Sequence, residues 1–224
     1  AALELGGDSE IRDVLLRGAG QKAFAAGADI SEFDEKRTDS SANQAYDNVS
    51  DLAYQALSTM PIPLIAMIHG YCIGGGLAVA LTADLRIAAD DAKFTIPAAK
   101  LGLGYRASGL GKLVQLIGPS ATKRILFLAD RFGAEEALTM GLINQLVPKA
   151  ELESVTDQWM QRICENAPLT IRAAKAGIDE WAKPESSQDF EAVNLLVDAC
   201  FDSADYREGV EAFMQKRPPR FTGR

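Results

Sequence analysis

Apolar positions fall into short buried runs in the first half of the chain and into helical stripes in the second. The runs at 11–16 (IRDVLL), 64–68 (LIAMI) and 85–89 (LRIAA) read as buried strands, with 94–96 as a short fourth. Ala45, Val49, Leu52, Ala53, Ala56, Leu57 and Met60 recur at three- and four-residue intervals. They predict an amphipathic helix over 41–60, ended by Pro61 and Pro63. Residues 77–83 are uncharged and too apolar for a surface, so they read as a core helix opened by Gly74-Gly75-Gly76 and stopped by Asp84. Residues 1–6 read as the end of a helix, and 21–29 as a loop. Strands alternating with helices predict parallel βα units. After Ser108 helices are expected at 119–129 and 134–140, one last strand at 142–147, and only helices from Glu151 onward. Pro168 suits a helix start. Ile171, Ala174, Ile178 and Trp181 share one face; Phe190, Val193, Val197 and Cys200 or Phe201 share another. Residues 184–187 form the expected hinge. Apolar faces this wide need cover, from the chain's own core or from a neighbouring subunit.

Composition narrows the function classes. A chain of 224 residues holds one sizeable core and a small extra module. The net charge of −8 argues against a nucleic-acid groove, because phosphate binding needs a basic surface. The uncharged stretch at 60–83 is broken by Pro61, Pro63, His69, Gly70 and the glycine triplet, so it is no membrane span, which needs about 20 mostly apolar residues in one helix. Residues 1–10 carry neither a basic n-region nor a long apolar h-region, so no signal peptide is read there. Cys72, Cys164 and Cys200 are scattered and odd in number, which fits no disulfide framework and no CxxC metal site. A reducing compartment follows: the cytoplasm, or the mitochondrial matrix in a eukaryote. His69 is the only histidine, so a His-based zinc site or a Ser-His-Asp triad has almost no material, and no metal is expected.

Two segments carry the candidate chemistry, AFAAGADI at 23–30 and IHGYCIGGGLA at 68–78. Small residues let a ligand approach the backbone. A glycine run directly before a helix aims unpaired N–H groups and the positive end of the helix dipole at one point, where a negative oxygen is stabilised. These segments, with DLRIAADDAKF at 84–94, GPSATKRILFLADRFGAEEALTMGLINQLVP at 118–148 and the tail FMQKRPPRFTG at 213–223, resemble the crotonase (enoyl-CoA hydratase/isomerase) superfamily from Ile11 to the C-terminus.

The resemblance implies an α/β spiral of repeated ββα units over residues 1–165, and a helical C-terminal trimerisation module over 166–224. It also implies a strand, turn and helix ahead of Ala1. The implied partner is an acyl-CoA thioester, with CoA entering as part of the substrate and no separate cofactor, and the implied assembly is a homotrimer or hexamer. Two backbone N–H groups would grip the thioester carbonyl, those of Ala28 and Gly75, and meet the charge of the enolate as it forms. Lys22, Ala23, Phe24, Ala26, Ile30, Gly74 and Lys216 would contact the substrate. Lys22 and Lys216, with Arg217, Arg220 and Arg224, would serve the CoA phosphates, and the backbone of 23–28 the adenine. Asp29 is read as a substrate-side residue and as the cap of a short helix beginning at Ile30.

The chain departs from the pattern at two positions. Hydratases of this family place water with two glutamates, one three residues after the middle glycine and one in the Phe-x-x-Pro-Glu turn. Here these are Ala78 and Ala98. Water addition needs a base for the water and an acid for the α-carbon, and alanine is neither. The stretch 101–109 (LGLGYRASG) resembles methylmalonyl-CoA decarboxylases, which carry a tyrosine matching Tyr105 but a histidine where this chain has Ala28. Decarboxylation needs no base. Tyr105 either donates the proton or orients the carboxylate, or only packs on the acyl chain. Arg106 either pairs with a substrate carboxylate or is a surface charge. A non-catalytic acyl-CoA binder, and a hydratase drawing its carboxylate from Glu32, Asp34 or Glu35, remain open. His69 reads as structural.

Overall fold

The structure, a computed structural model, describes residues 1–27, 40–105 and 107–224. They gather into two units, one of Leu15–Thr59 and Leu64–Val155, the other of Ala1–Val14, Met60–Pro63 and Thr156–Arg224.

The first unit repeats one local move. A longer strand in one sheet is followed within a few residues by a three-residue strand in a second sheet, and a helix comes after. The pairs are β1 (Val14–Arg17) with β2 (Ala23–Ala25), β3 (Leu64–Ile68) with β4 (Tyr71–Ile73), and β5 (Leu85–Ala89) with β6 (Lys93–Thr95). The helices are α2 (Ser40–Ser58), α3 (Gly75–Ala80) and α4 (Ala107–Leu128), after α1 at Ala2–Gly7. This is the expected ββα repeat. One sheet runs β1-β3-β5-β8, with β8 at Gln145–Val147, and the other β2-β4-β6-β7, with β7 at Phe132–Gly133. The β3–β5, β5–β8, β2–β4 and β4–β6 pairs are parallel, and β6–β7 is antiparallel. Every residue of β3 is buried, as a strand covered on both faces requires. Burying a side chain such as Leu64 or Ile68 is worth about 1.5–3 kcal/mol.

The acidic and basic residues of DLRIAADD anchor this frame. The Asp84 carboxylate accepts from the Leu64 N–H at 2.7 Å, so Asp84 ties the start of β3 as well as following the core helix. Buried Arg86 donates to the Leu142 and Ala83 carbonyls at 2.8 and 2.6 Å. Asp90 accepts from the Lys149 N–H, and Asp91 from the Gly70 N–H at 3.1 Å and the Lys149 ammonium at 2.6 Å. Burial works to raise the Asp91 pKa, but the hydrogen bonds from Lys149 and Gly70 outweigh it and hold the carboxyl below its ordinary value.

Several expected boundaries shift. Residues 23–25 form a strand rather than loop, because β4 supplies the pairing a three-residue run cannot signal alone. The core helix spans Gly75–Ala80, and β8 is confined to the end of the expected 142–147 strand. Helix α4 begins at Ala107, before the predicted 119, and is broken at Gly118, whose φ of 75° lets Pro119 open a second helical segment. In α2, Val49 and Leu52 are exposed among the described residues, although the periodicity put them on the covered face.

The second unit holds α7 (Pro168–Trp181), α8 (Phe190–Asp202) and α9 (Ala204–Gln215), numbered after α5 (Ala134–Thr139) and α6 (Leu152–Glu165). Helices α7 and α8 pack at Gly177, where an added Cβ would meet Val193 Cγ1 at an ordinary contact distance of 3.5 Å. The tail folds back onto α9. Asp205 accepts from the Thr222 and Gly223 N–H groups at 2.7 and 2.8 Å. Glu208 takes two bonds from the Arg217 guanidinium, at 2.6 and 2.9 Å, and one from the Arg220 N–H at 2.8 Å. The Arg217 bonds, then the Arg220 N–H, hold the Glu208 carboxyl down to about 2. A depressed carboxyl contributes stability that is complete above its unfolded value of about 4.3 and is lost as pH falls through the folded one. The tail clasp is therefore expected to persist at pH 4 and to release as pH approaches about 2. Amide exchange at Arg220 read along a pH series, against Glu208→Gln, checks this; release in the variant and the parent at the same pH would contradict it.

Candidate active site

The site begins where β4 ends. Gly74 has φ 54° and ψ −117°, a conformation that L side chains rarely adopt, and it turns the chain directly into α3. The Gly74 N–H donates to the Thr95 carbonyl at 2.9 Å, and the Gly74 carbonyl accepts from the Ala78 N–H at 3.1 Å. Gly75 is thus the first residue of the helix. Among the described residues no backbone group accepts from its N–H. The first N–H groups of any helix lack an intrahelical partner, and this one is able to donate to a ligand oxygen.

Backbone packs against backbone around this point. A Cβ on Gly76 would lie 2.2 Å from the Ala25 carbonyl oxygen, one on Gly70 2.1 Å from the Lys22 oxygen, and one on Gly18 2.1 Å from the Ala23 oxygen. Three glycines therefore cradle the strand that leads into the AGAD loop. Gly27, with φ 92°, comes closer still to the point of interest: a Cβ there would sit 3.6 Å from the Gly75 nitrogen and 3.1 Å from the Ile73 oxygen. The two segments singled out in the sequence are adjacent in space, and a side chain on the residue before Ala28 would meet Gly75. Ala28, Asp29, Ile30 and Arg106, like Glu32, Asp34 and Glu35, lie outside the described residues.

Ala78 is the fourth of the six residues of α3 and is half-buried. Ala98 is buried in a 3₁₀ helix, Pro97–Leu101, that follows β6. Pro97 Cδ would be 3.8 Å from a Cβ on Gly74, so this turn borders the glycine loop. Gly102 ends the 3₁₀ helix with φ 66°, and the Leu103 N–H donates to the Ala98 carbonyl. The chain then leads to Tyr105, which is partly exposed; a Cβ on Gly109 would sit 3.6 Å from its ring, so the ring lies over the first turn of α4. Of the residues assigned to the substrate side, Lys22 and Ala26 are exposed and Ala23 is half-buried. The Phe24 side chain belongs to the core, so only its backbone can face a ligand. Lys216 belongs to the other unit, where it caps α9 with φ 55°.

Other reactive groups near this loop are spoken for. Cys72 is fully buried, and burial pushes its thiol well above the ordinary range, so it stays protonated. His69 is buried, with Nε2 2.8 Å from the Gly20 carbonyl oxygen. Among the described residues no group of three or more His, Cys, Asp or Glu could hold a metal ion, and no helix is long and apolar enough to cross a membrane. Sequence reading missed Gly27 and Thr95. The glycine of AGAD was the available signal for the first; a lone threonine gave none for the second.

The chain is similar to known proteins along its length. The chain is 32% identical over 214 residues to a short-chain-enoyl-CoA hydratase of Clostridium acetobutylicum, covering 96% of this chain and 81% of that protein. It is 34% identical over 217 residues to a methylmalonyl-CoA decarboxylase of Escherichia coli, covering 96% and 82%. The crystal structure of an enoyl-CoA hydratase/carnithine racemase from Magnetospirillum magneticum superposes with a TM-score of 0.93 at 36% identity, covering 100% of this chain and 83% of that one. The family model for enoyl-CoA hydratase/isomerase matches residues 1–224, and the chain belongs to that family.

Proposed function

We propose that this protein is an acyl-CoA lyase that stabilises a thioester enolate in an oxyanion hole, decarboxylase-like on a carboxyacyl-CoA. The observation that carries the reading is alanine at 78 and 98, on the helix after Gly74 and on the turn whose Pro97 borders it, with a Gly75 amide that has no backbone acceptor among the described residues. The site keeps the element that stabilises an enolate oxygen and lacks the carboxylates that move protons for water. The described residues that border it, Gly27, 74–78 and Pro97, include no Asp or Glu. Similarity to a methylmalonyl-CoA decarboxylase supports the same chemistry.

In this reaction the bond between the α-carbon and the substrate carboxylate breaks. Its electron pair moves into the thioester, the carbonyl oxygen takes the negative charge at the Gly75 and Ala28 amides, and carbon dioxide leaves. A proton then reaches the α-carbon, with Tyr105 as its donor. Arg106 would hold the carboxylate before cleavage. Amide donors of this type contribute about 2.7–4 kcal/mol each to the transition state.

The test is incubation with enoyl-, malonyl- and methylmalonyl-CoA esters, with products weighed by mass spectrometry. Loss of carbon dioxide is expected. Gain of water would select a hydratase with a carboxylate from elsewhere, a reading favoured by relatives named hydratase. No change at all would leave a thioester binder. Tyr105→Phe is expected to lower kcat about 10²-fold while thioester affinity stays within a few-fold. Unchanged turnover in that variant would remove Tyr105 from the chemistry.

We also propose that copies of the chain associate through the helical unit. Ile178, Trp181, Leu195, Phe213 and Met214 are each at least two-thirds exposed there, an apolar surface that a monomer in water rarely carries. A native mass several times 24.0 kDa is expected by light scattering. A mass of one chain at micromolar concentration would refute it.

A further inference from the structure

We infer that the Thr95 hydroxyl is a positioning group for the oxyanion amide of Gly75; this rests on the enolate reading above. Thr95 is buried at the last position of β6 and works in two directions. Its backbone carbonyl accepts from the Gly74 N–H at 2.9 Å, and its Oγ1 donates to the Ala129 carbonyl at 3.2 Å. Gly74 sits in a backbone conformation open to glycine, and its ψ sets the plane in which the Gly75 N–H points. Nothing from its own side chain can hold that angle. From outside, the Gly74–Gly75 peptide is held at its carbonyl by the Ala78 N–H, at 3.1 Å, and the Gly74 N–H by the Thr95 carbonyl.

The far end of the contact is tied to its surroundings at several points. Ala129 is buried with φ 50°, a left-handed backbone for a residue with a Cβ, which costs about 1–2 kcal/mol and persists only when neighbours determine it. Next to it, Asp130 pairs with Lys100 at 3.0 Å, and Lys100 belongs to the 3₁₀ helix that carries Ala98. Beyond it, Phe132 pairs with Phe94 across β6 and β7, their rings stacked with centroids 5.6 Å apart. The Ala129–Asp130 turn is thus held to strand β6 and to the Ala98 turn at once. The Thr95 hydroxyl joins this turn to the glycine loop. It touches no substrate, and its effect passes through the Gly74–Gly75 peptide.

The test compares the parent protein with Thr95→Val, which keeps the shape and loses the donor, and Thr95→Ser, which keeps the donor. The probe is unreactive butyryl-CoA labelled with ¹³C at the carbonyl, read by difference infrared spectroscopy. An oxyanion hole polarises the carbonyl and lowers its stretching frequency. The parent is expected to show this red shift, Thr95→Val a smaller one, and Thr95→Ser the parental one. With the substrate the product panel identifies, kcat in Thr95→Val should fall about tenfold while KM stays nearly unchanged, because only alignment has been lost. A parental shift in a folded Thr95→Val overturns the positioning role and leaves the oxyanion hole standing. A parent protein without any shift overturns both. Should the apolar methyl that replaces the hydroxyl prevent folding, Thr95→Ala removes the same donor and is read against the same two outcomes.

Discussion

Gly76→Ala is expected to abolish turnover and to destabilise the protein by at least about 2 kcal/mol, although it adds one methyl group. The reason is the 2.2 Å separation between that methyl carbon and the Ala25 carbonyl oxygen, with the Ala25 carbonyl carbon and Cβ at 2.7 Å. These are backbone atoms and a Cβ, with no rotamer to swing aside. Either β2 retreats from α3 or α3 rotates, and both moves carry Gly27 away from the Gly75 amide. Gly111→Ala makes the contrast. Gly111 is an exposed helical residue with nothing within 4 Å of an added Cβ, so the same chemical change should raise stability by about 0.5–1 kcal/mol. Urea unfolding of the two variants beside the parent reads both signs. A Gly76→Ala protein with parental stability would mean that β2 and α3 are not in the contact described.

That contrast also shows which parts of the molecule were legible in the sequence. Strand β3 was, because Leu64–Ile68 is long enough and apolar enough to declare burial on both faces. Helices α7 and α8 were, because their stripes at three- and four-residue spacing extend over several turns. Strands β2, β4 and β7 were not. Two or three residues carry no periodicity, and their pairing partners lie far along the chain, as Ala23 with Tyr71 and Phe94 with Phe132. The glycines of the site announced themselves as glycines without saying why each was needed. Gly74 and Gly27 are required for backbone conformation, whereas Gly76 and Gly18 are required for space, and only coordinates separate these causes. The exposed Val49 and Leu52 mark the opposite limit: helical spacing reports that a face is apolar, not that this chain's own described residues cover it.

A double variant, Ala78→Glu with Ala98→Glu, is expected to gain crotonyl-CoA hydration about 10²-fold above the parent and to lose decarboxylation. One carboxylate would stand on the first turns of α3, three residues beyond Gly75; the other would stand on the 3₁₀ helix whose Pro97 borders Gly74. One accepts a proton from water while the other, protonated, delivers one to the α-carbon, so a single substitution supplies only half of the transfer. The ionised member of the pair repels a carboxylate on the substrate, which is why the two activities should move in opposite directions. Ala98 is buried, and a carboxyl placed there without a hydrogen-bond partner costs folding free energy, so a lower Tm is expected alongside the new activity. A bound water between the two carboxylates would reduce that loss. Hydration by the parent at the rate of the double variant would mean that alanine at these positions never limited the chemistry. A folded double variant that binds thioester and hydrates nothing would mean that positions 78 and 98 do not face the acyl group, and the argument for a lyase would lose its premise.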